Sequence, residues 1–345
     1  DTLFIASGSC TYNPEPMAAF IDAFVLGEGE EVILEIMDVV ARSKAAQAPR
    51  TELLRALAAV SGVYVPALYT FGNDSAGAFS RLLPLDDAPT RITKRIVAQL
   101  PPPPTRLVVP HLQATHDRAA LEIQRGCGRG CRFCQAGMIY RPIRERSVGE
   151  TLQAIDDLVA ATGYDEVGLV SLSSSDHSGI AEIVGQTLAR HSEDGVGVSL
   201  PSLRIDSFSV ELAQMISSRR KSGFTFAPEA GSQRLRDVIN KGVTEDDLLR
   251  TARAAFEQGW NRIKLYFMLG LPTETDDDVL EIARLAQDLA RLGRQARNRR
   301  VEISVSVATF VPKPHTPFQW EPLASHNDVM RRQRLLRDAL RSRAI

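Results

Sequence analysis

The feature that most constrains this chain is a repeat of apolar runs, each followed by a segment of helical period. The runs lie at 119–124, 166–172, 197–201, 223–227, 262–269 and 302–309. The segments between them open on acids and close on glycine. Ser147-Val-Gly-Glu150 is a capping box, with apolar positions at Leu152, Ile155 and Leu158 and a stop at Gly163. Thr244 caps a helix opening Glu245-Asp246-Asp247 and ending at Gly259. Thr275 caps one opening Asp276-Asp277-Asp278 and ending near Gly293. Such helices between apolar strands are βα units of a parallel sheet, and this many suggest a barrel-like α/β fold. In that architecture the chemistry sits after each strand's carboxyl end.

After the first run comes Glu122-Ile-Gln-Arg-Gly-Cys127-Gly-Arg-Gly-Cys131-Arg-Phe133-Cys134, which holds three of the chain's 4 cysteines. Thiols this close point to a metal site. A four-iron cluster usually takes four cysteine ligands. Three would hold three irons and leave one open. A closed zinc site wants four N/S ligands, usually as two separated pairs, and no second pair follows. A disulfide would leave one thiol odd. An iron–sulfur cluster is therefore favoured over zinc. Cys10, in the loop after the first strand of the chain, reads as a small buried residue.

The CxxxCxΦC spacing, with Phe133 before the last cysteine, resembles the signature of the radical S-adenosylmethionine (SAM) superfamily. The resemblance implies that Cys127, Cys131 and Cys134 hold a 4Fe-4S cluster and that SAM chelates the open iron. It also implies an open (β/α)6 partial TIM barrel.

The later strand ends continue it. After the second run, Ser174, Ser175 and Asp176 stand where the superfamily carries a "GGE"-like segment for the amino group of SAM. A Ser-rich helix-capping turn explains them equally well. His177 stands where a tyrosine is expected. After the third run, Ser199-Leu-Pro-Ser202-Leu-Arg204-Ile-Asp206 places polar groups at the barrel mouth, where they need partners. The resemblance implies contacts of Ser202 and Arg204 to SAM. A structural ion pair of Arg204 with Asp206 or Glu229 weighs the same. Glu229, in Phe226-Ala-Pro-Glu229-Ala-Gly, resembles the fourth-strand SAM contact. Asn240-Lys241-Gly242 is a polar lid or a plain turn. Gly270, in Met268-Leu-Gly270-Leu-Pro-Thr-Glu274, resembles the segment that packs on adenine. Phe310-Val-Pro-Lys313-Pro-His315-Thr-Pro is a stiff loop over the mouth.

Arg125, Arg129, Arg132, Arg141, Arg144 and Arg146 surround the cysteine loop and suit either the anionic cofactors or an anionic substrate. Arg291, Arg294, Arg297, Arg299 and Arg300 precede the last strand on the opposite face and read as solvated.

The first 46 residues read as a buried strand at 2–7, a helix around Met17–Ile21, a strand Ala23–Leu26, and a helix opened by Gly27-Glu28-Gly29-Glu30. This resembles the tail end of a doubly wound cobalamin-binding-type domain. Locally, the acids also suit a helix's first turn. The expected organisation is this tail over 1–46, a linker region with a Pro-rich spacer (Pro101–Pro104) over 47–117, a radical SAM core over 118–325 and a terminal helix over 326–345. The abrupt ends read as a fragment of a longer protein, and cobalamin is expected only of the full-length protein.

The 345 residues carry a net charge of −1, so no global field recruits nucleic acid or membrane. No apolar run approaches the ~18 residues of a membrane span, and no signal peptide is present. A cytoplasmic location follows as the expectation. The whole pattern resembles an uncharacterised family of radical SAM proteins with an N-terminal cobalamin-binding-type domain. It implies an enzyme that cleaves SAM reductively to methionine and a 5′-deoxyadenosyl radical, which takes hydrogen from an unknown substrate. A reductant such as flavodoxin or ferredoxin is implied as partner. The alternatives are a methylating or methylthiolating enzyme acting on RNA or a ribosomal component, and a non-catalytic iron–sulfur or zinc module that binds RNA.

Overall fold

The structure is a computed structural model that describes the chain except residues 1, 74, 76, 78, 86, 113–116, 202–203, 206–211, 213–214, 216–223, 298–299 and 342–345. The chain divides into two compact units, Asp1–Gln99 and Leu100–Ile345. The division falls beside the Pro101–Pro104 run.

In the first unit, β1 (Ile5–Ser7) and β2 (Ala23–Val25) pair in parallel, and β3 (Val63–Tyr64) joins β2 antiparallel. Helices α1 (Val32–Ala45) and α2 (Arg50–Ala58) close a small core around Val25, Ile36, Leu57 and Val63. Residues 50–65, expected in a linker region, are thus part of this core. A hairpin of β4 (Tyr69–Asn73) and β5 (Phe79–Pro84) follows. Two expectations fail here. The strand at 2–7 is not buried: it is the edge of the sheet, with Phe4 56% and Ile5 37% exposed. The helix around Met17–Ile21 is replaced by 3-10 turns at Ser9–Tyr12 and Glu15–Met17, because Pro14 and Pro16 each remove a backbone donor.

The second unit contains the expected strands. β6 (Ala119–Glu122), β9 (Glu166–Val170) and β10 (Gly197–Ser199) form one parallel sheet in the order β6-β9-β10. β11 (Phe224–Glu229), β12 (Arg262–Leu269) and β13 (Glu302–Thr309) form another, in the order β11-β12-β13. A short antiparallel pair, β7 (Gln124–Arg125) and β8 (Arg144–Glu145), brackets the cysteine loop and the one-turn α3 (Ala136–Ile139). Strand order follows chain order, as a progressively wound barrel requires.

One face of each sheet is covered by helices. α4 (Val148–Thr162) and α5 (Ile180–Arg190) pack on the first sheet through Ile155, Leu158, Ile183 and Val184. α6 (Gln233–Val238) follows β11, and α7 (Glu245–Glu257) and α8 (Asp276–Arg297) pack on the second sheet. Phe226, Phe256 and Phe267 are fully enclosed there, each worth roughly 1.5–3 kcal/mol of burial. Thr244 makes a complete capping box with Asp247, which starts α7. Ser147 caps α4 by accepting from Glu150 N–H, but Glu150 turns its carboxylate to Arg146 at 2.6 Å, so the box is half made. The terminal helix α9 (His326–Ala339) docks Leu336 into the second core and ends at Ala339. Among the described residues no helix is long and apolar enough to cross a membrane.

Candidate cofactor site

Three other segments meet on the cysteine loop. It leaves β7 through Gly126, whose φ is +89°. A Cβ there would lie 2.6 Å from the Tyr140 carbonyl oxygen, so only glycine fits. Arg132 N–H donates to Ile239 O at 2.9 Å, and Asn240 Nδ2 donates to Gly130 O at 2.9 Å, both in the turn that ends α6 in the stretch after β11. Phe318 N–H donates to Arg132 O at 3.2 Å, from the loop after β13. Arg129 reaches the loop after β9, donating to both oxygens of Asp176 at 3.0 and 2.5 Å.

Cys131 is buried, while Cys127 and Cys134 are partly exposed; Cys10, expected buried, is exposed. Gly137 N–H donates to the Cys134 sulfur at 3.4 Å. Burial pushes the Cys131 thiol pKa up, against Lys241 and Arg204, which favour the thiolate. Among the described residues no group of three or more His, Cys, Asp or Glu stands ready to share one metal ion. A cluster makes a different demand, since its thiolates bind different irons. Soft sulfur donors on a glycine-rich loop, beside two cations, suit an anionic iron–sulfur cluster.

The sequence-derived candidates are distributed around this loop. Phe133 packs against the apolar cluster of Ile239, Leu271, Phe310 and Phe318, with Lys241 Nζ 6.0 Å from its ring centroid. Ser174 is fully buried, and its hydroxyl donates to Leu169 O at 3.0 Å, so it serves the turn. Ser175 Oγ accepts from Arg204 N–H at 3.0 Å. Asp176 is the counter-ion of Arg129, accepts from Ser173 Oγ at 2.7 Å, and has Arg204 Nε at 4.0 Å. Arg204 donates to Lys241 O at 3.0 Å. The expected alternative of an Arg204–Glu229 pair is replaced by Lys241, whose Nζ lies 3.2 Å from Glu229. Ser202 and Asp206 lie outside the described residues.

Glu229 has φ +70°, at a register shift in β11. A left-handed glutamate is costly and often marks a functional position. Gly270 also has positive φ, +82°, and its N–H donates to Glu274 Oε2 at 2.7 Å. Glu274 is buried against Arg332 at 2.8 Å; burial raises its pKa, while Gly270 and Arg332 oppose the shift.

Other polar candidates have structural duties. His177 is buried. Its Nδ1 accepts from Gly179 N–H at 3.0 Å, which leaves the proton on Nε2, 3.1 Å from Arg146 O. Most of the arginines expected to balance the cofactors are engaged elsewhere. Arg125 pairs with Glu122, Arg132 and Arg144 bind backbone carbonyls, and Arg146 joins Glu122 O, Pro101 O and Glu150. Arg129 is the one that meets a candidate carboxylate. Arg299 lies outside the described residues. His315 and Lys313 are exposed. The sequence reading left Asn240-Lys241 as a lid or turn; the structure makes the pair a clamp between the cysteine loop and Glu229.

A parallel β/α fold with a three-cysteine loop at its strand ends defines the class. Residues 121–286 match the Radical SAM superfamily, and residues 1–66 match Radical SAM proteins, N-terminal. The chain thus carries a radical SAM superfamily domain preceded by an N-terminal radical SAM domain. It is 32% identical over 334 residues to the uncharacterized protein MJ0966 of Methanocaldococcus jannaschii, covering 93% of this chain and 62% of that one. It is 27% identical over 192 residues to the threonylcarbamoyladenosine tRNA methylthiotransferase MtaB of Treponema pallidum, covering 52% of this chain and 38% of that one. The structure resembles that of the radical SAM methyltransferase TsrM from Kitasatospora setae with a TM-score of 0.59 and 15% identity, covering 92% of this chain and 57% of that one. The chain thus spans less than two thirds of each of these relatives.

Proposed function

We propose that the chain is the catalytic part of a radical SAM enzyme, with Cys127, Cys131 and Cys134 as ligands of a 4Fe-4S cluster. When bound, the cluster and SAM supply reductive cleavage of the sulfonium to methionine and a 5′-deoxyadenosyl radical, which removes hydrogen from substrate. The observation that carries this reading is the convergence of the loops after β9, β11 and β13 on the cysteine segment. The chain's residues then take distinct duties. Arg204 and Lys241 place positive charge beside Cys131 and offset the negative charge of thiolates. Glu229, held left-handed against Lys241, presents a carboxylate for the SAM amino or ribose groups. Gly270, buried at the end of β12, presents backbone without a side chain there, as suits an adenine site. Arg129 and Asp176 fasten the cysteine loop to the second-strand turn. A low-potential reductant of the flavodoxin or ferredoxin class supplies the electron.

A second reading is methylation or methylthiolation of RNA or a ribosomal component. The methylthiotransferase relatives support it; the arginines around the cysteine loop do not, because most are engaged within the fold.

The test is anaerobic reconstitution. The parent is expected to take up about four irons, to lose its visible absorbance on Cys→Ala substitution at position 127, 131 or 134, and to release methionine and 5′-deoxyadenosine with a strong reductant. Stoichiometric zinc without iron in anaerobically purified protein would overturn the reading.

A further inference from the structure

A parallel β/α sheet buries both faces, and its strands read as near-continuous apolar runs. β12 departs from this. Ile263, Leu265, Phe267 and Leu269 are buried under α7 and α8, whereas Arg262, Lys264, Tyr266 and Met268 take the helix-free face. The register carries a polar stripe across the sheet. Thr225 on β11 pairs with Lys264, Lys264 pairs with Ser304 on β13, and Tyr266 pairs with Ser306. Tyr266 is 39% exposed, and Lys264 Nζ stands 4.7 Å from its ring centroid. The packed interior of such a barrel would carry branched apolar side chains here.

Several of the charges on and beside the strands have ion-pair partners. Arg262 pairs with Glu302 at 2.9 Å, Arg118 with Glu166 at 3.1 Å, Arg125 with Glu122 at 2.9 Å, and Lys241 with Glu229 at 3.2 Å. Lys264 makes no ion pair among the described residues. A half-buried lysine whose register neighbours are Thr225 and Ser304, with Tyr266 and Ser306 two residues along the same face, suits an anion.

We propose that Lys264, with the hydroxyls of Tyr266, Ser304 and Ser306, anchors an anionic group of a small substrate, a carboxylate or a phosphate. The proposal rests on reading the strand ends as the SAM site, because β12, which carries the stripe, runs directly into Gly270. Binding there places the remainder of the substrate toward the cysteine loop. The ammonium and the hydroxyls donate to the anion, and such charge-assisted bonds fix both position and orientation.

The test is calorimetric titration of the reconstituted holoprotein with succinate and, separately, inorganic phosphate, in a buffer free of both anion types. One of the two is expected to bind the parent, which identifies the class of group. Lys264→Met should weaken that binding about tenfold or more, Lys264→Arg should hold it within about threefold, and Ser306→Ala should weaken it by a few-fold. Retention by Lys264→Arg shows that charge, not a folding defect, is being read. No binding of either anion to the parent, or equal binding to Lys264→Met, overturns the site. Iron content and 5′-deoxyadenosine release are measured on the same preparation. Release without anion binding sinks the anion site alone, while anion binding without release sinks the SAM reading alone.

Discussion

Lys241 ties together the ends of two strands: its ammonium lies 3.2 Å from the Glu229 carboxylate, and its carbonyl accepts from Arg204 at 3.0 Å. Glu229 ends β11 and Arg204 follows β10, so one residue positions two of the groups proposed to hold SAM.

The first prediction follows from that clamp. Lys241→Met leaves a largely buried carboxylate without its partner, while the backbone carbonyl that holds Arg204 stays in place. Glu229→Gln and Arg204→Ala remove the proposed contacts directly. Each variant is expected to raise the SAM dissociation constant about tenfold, the size of one charge-assisted hydrogen bond. Iron content should stay at the parent level. Equilibrium dialysis with labelled SAM and an iron assay check this together. Parent-like SAM binding by all three would show that the site is misplaced.

The second prediction concerns pH and the start of α8. Asp278 is buried, and burial alone would raise its pKa. Hydrogen bonds from Arg234, Ser232 and Thr275 outweigh that and bring it down to about 2 from an ordinary 3.8. A carboxyl with a depressed folded-state pKa stabilises the fold fully above its unfolded value, and the contribution disappears as pH falls through the folded value. The window is therefore from about 4 down to about 2. Asp278→Asn should cost about 2 kcal/mol at neutral pH. The difference in urea midpoint between parent and variant should hold from pH 7 to about 4 and narrow below it. A difference that stays constant through that range would remove Asp278 as the cause.

The sequence showed the strands of the second unit because apolar period and capping chemistry agree there. Thr244 and Thr275 start the helices where capping residues should. Gly293 misled, and for a physical reason. α8 runs through it to Arg297, since a Cβ at 293 would lie 2.6 Å from Val301 Cγ2 and 2.9 Å from the Phe256 ring. That glycine permits close packing and does not stop the helix. The three cysteines proposed as ligands stand in one loop, so their spacing is local and visible in sequence. The clamp of Asn240 and Lys241 was not, because it depends on contacts across more than a hundred residues, such as Asn240 with Gly130. The local signal was a polar Asn-Lys-Gly set in the turn directly after α6. At Ser174 two readings weighed the same, and the hydroxyl's bond to Leu169 O supports the turn.

The last prediction concerns the Gly27-Glu28-Gly29-Glu30 segment. It resembles the tail end of a cobalamin-binding-type domain, and in the structure it is a socket for residues 95–97. Gly27 has φ +115°, and a Cβ there would lie 2.3 Å from Arg95 O, so this backbone admits only glycine. The Glu28 carboxylate accepts from Val97 N–H at 2.6 Å. Arg95 in turn donates to Glu35 at 2.6 Å and to Glu31 at 3.4 Å. The acids that open α1 thus have partners within the first unit, which leaves this segment little to offer a corrin. The 345-residue chain is expected to bind no hydroxocobalamin in equilibrium dialysis read by absorbance. Arg95→Ala should lower the stability of the first unit by about 1 kcal/mol, since its ion pairs are partly exposed, without creating cobalamin binding. Tight binding by the parent that Arg95→Ala alters would show that the segment is a cofactor loop after all.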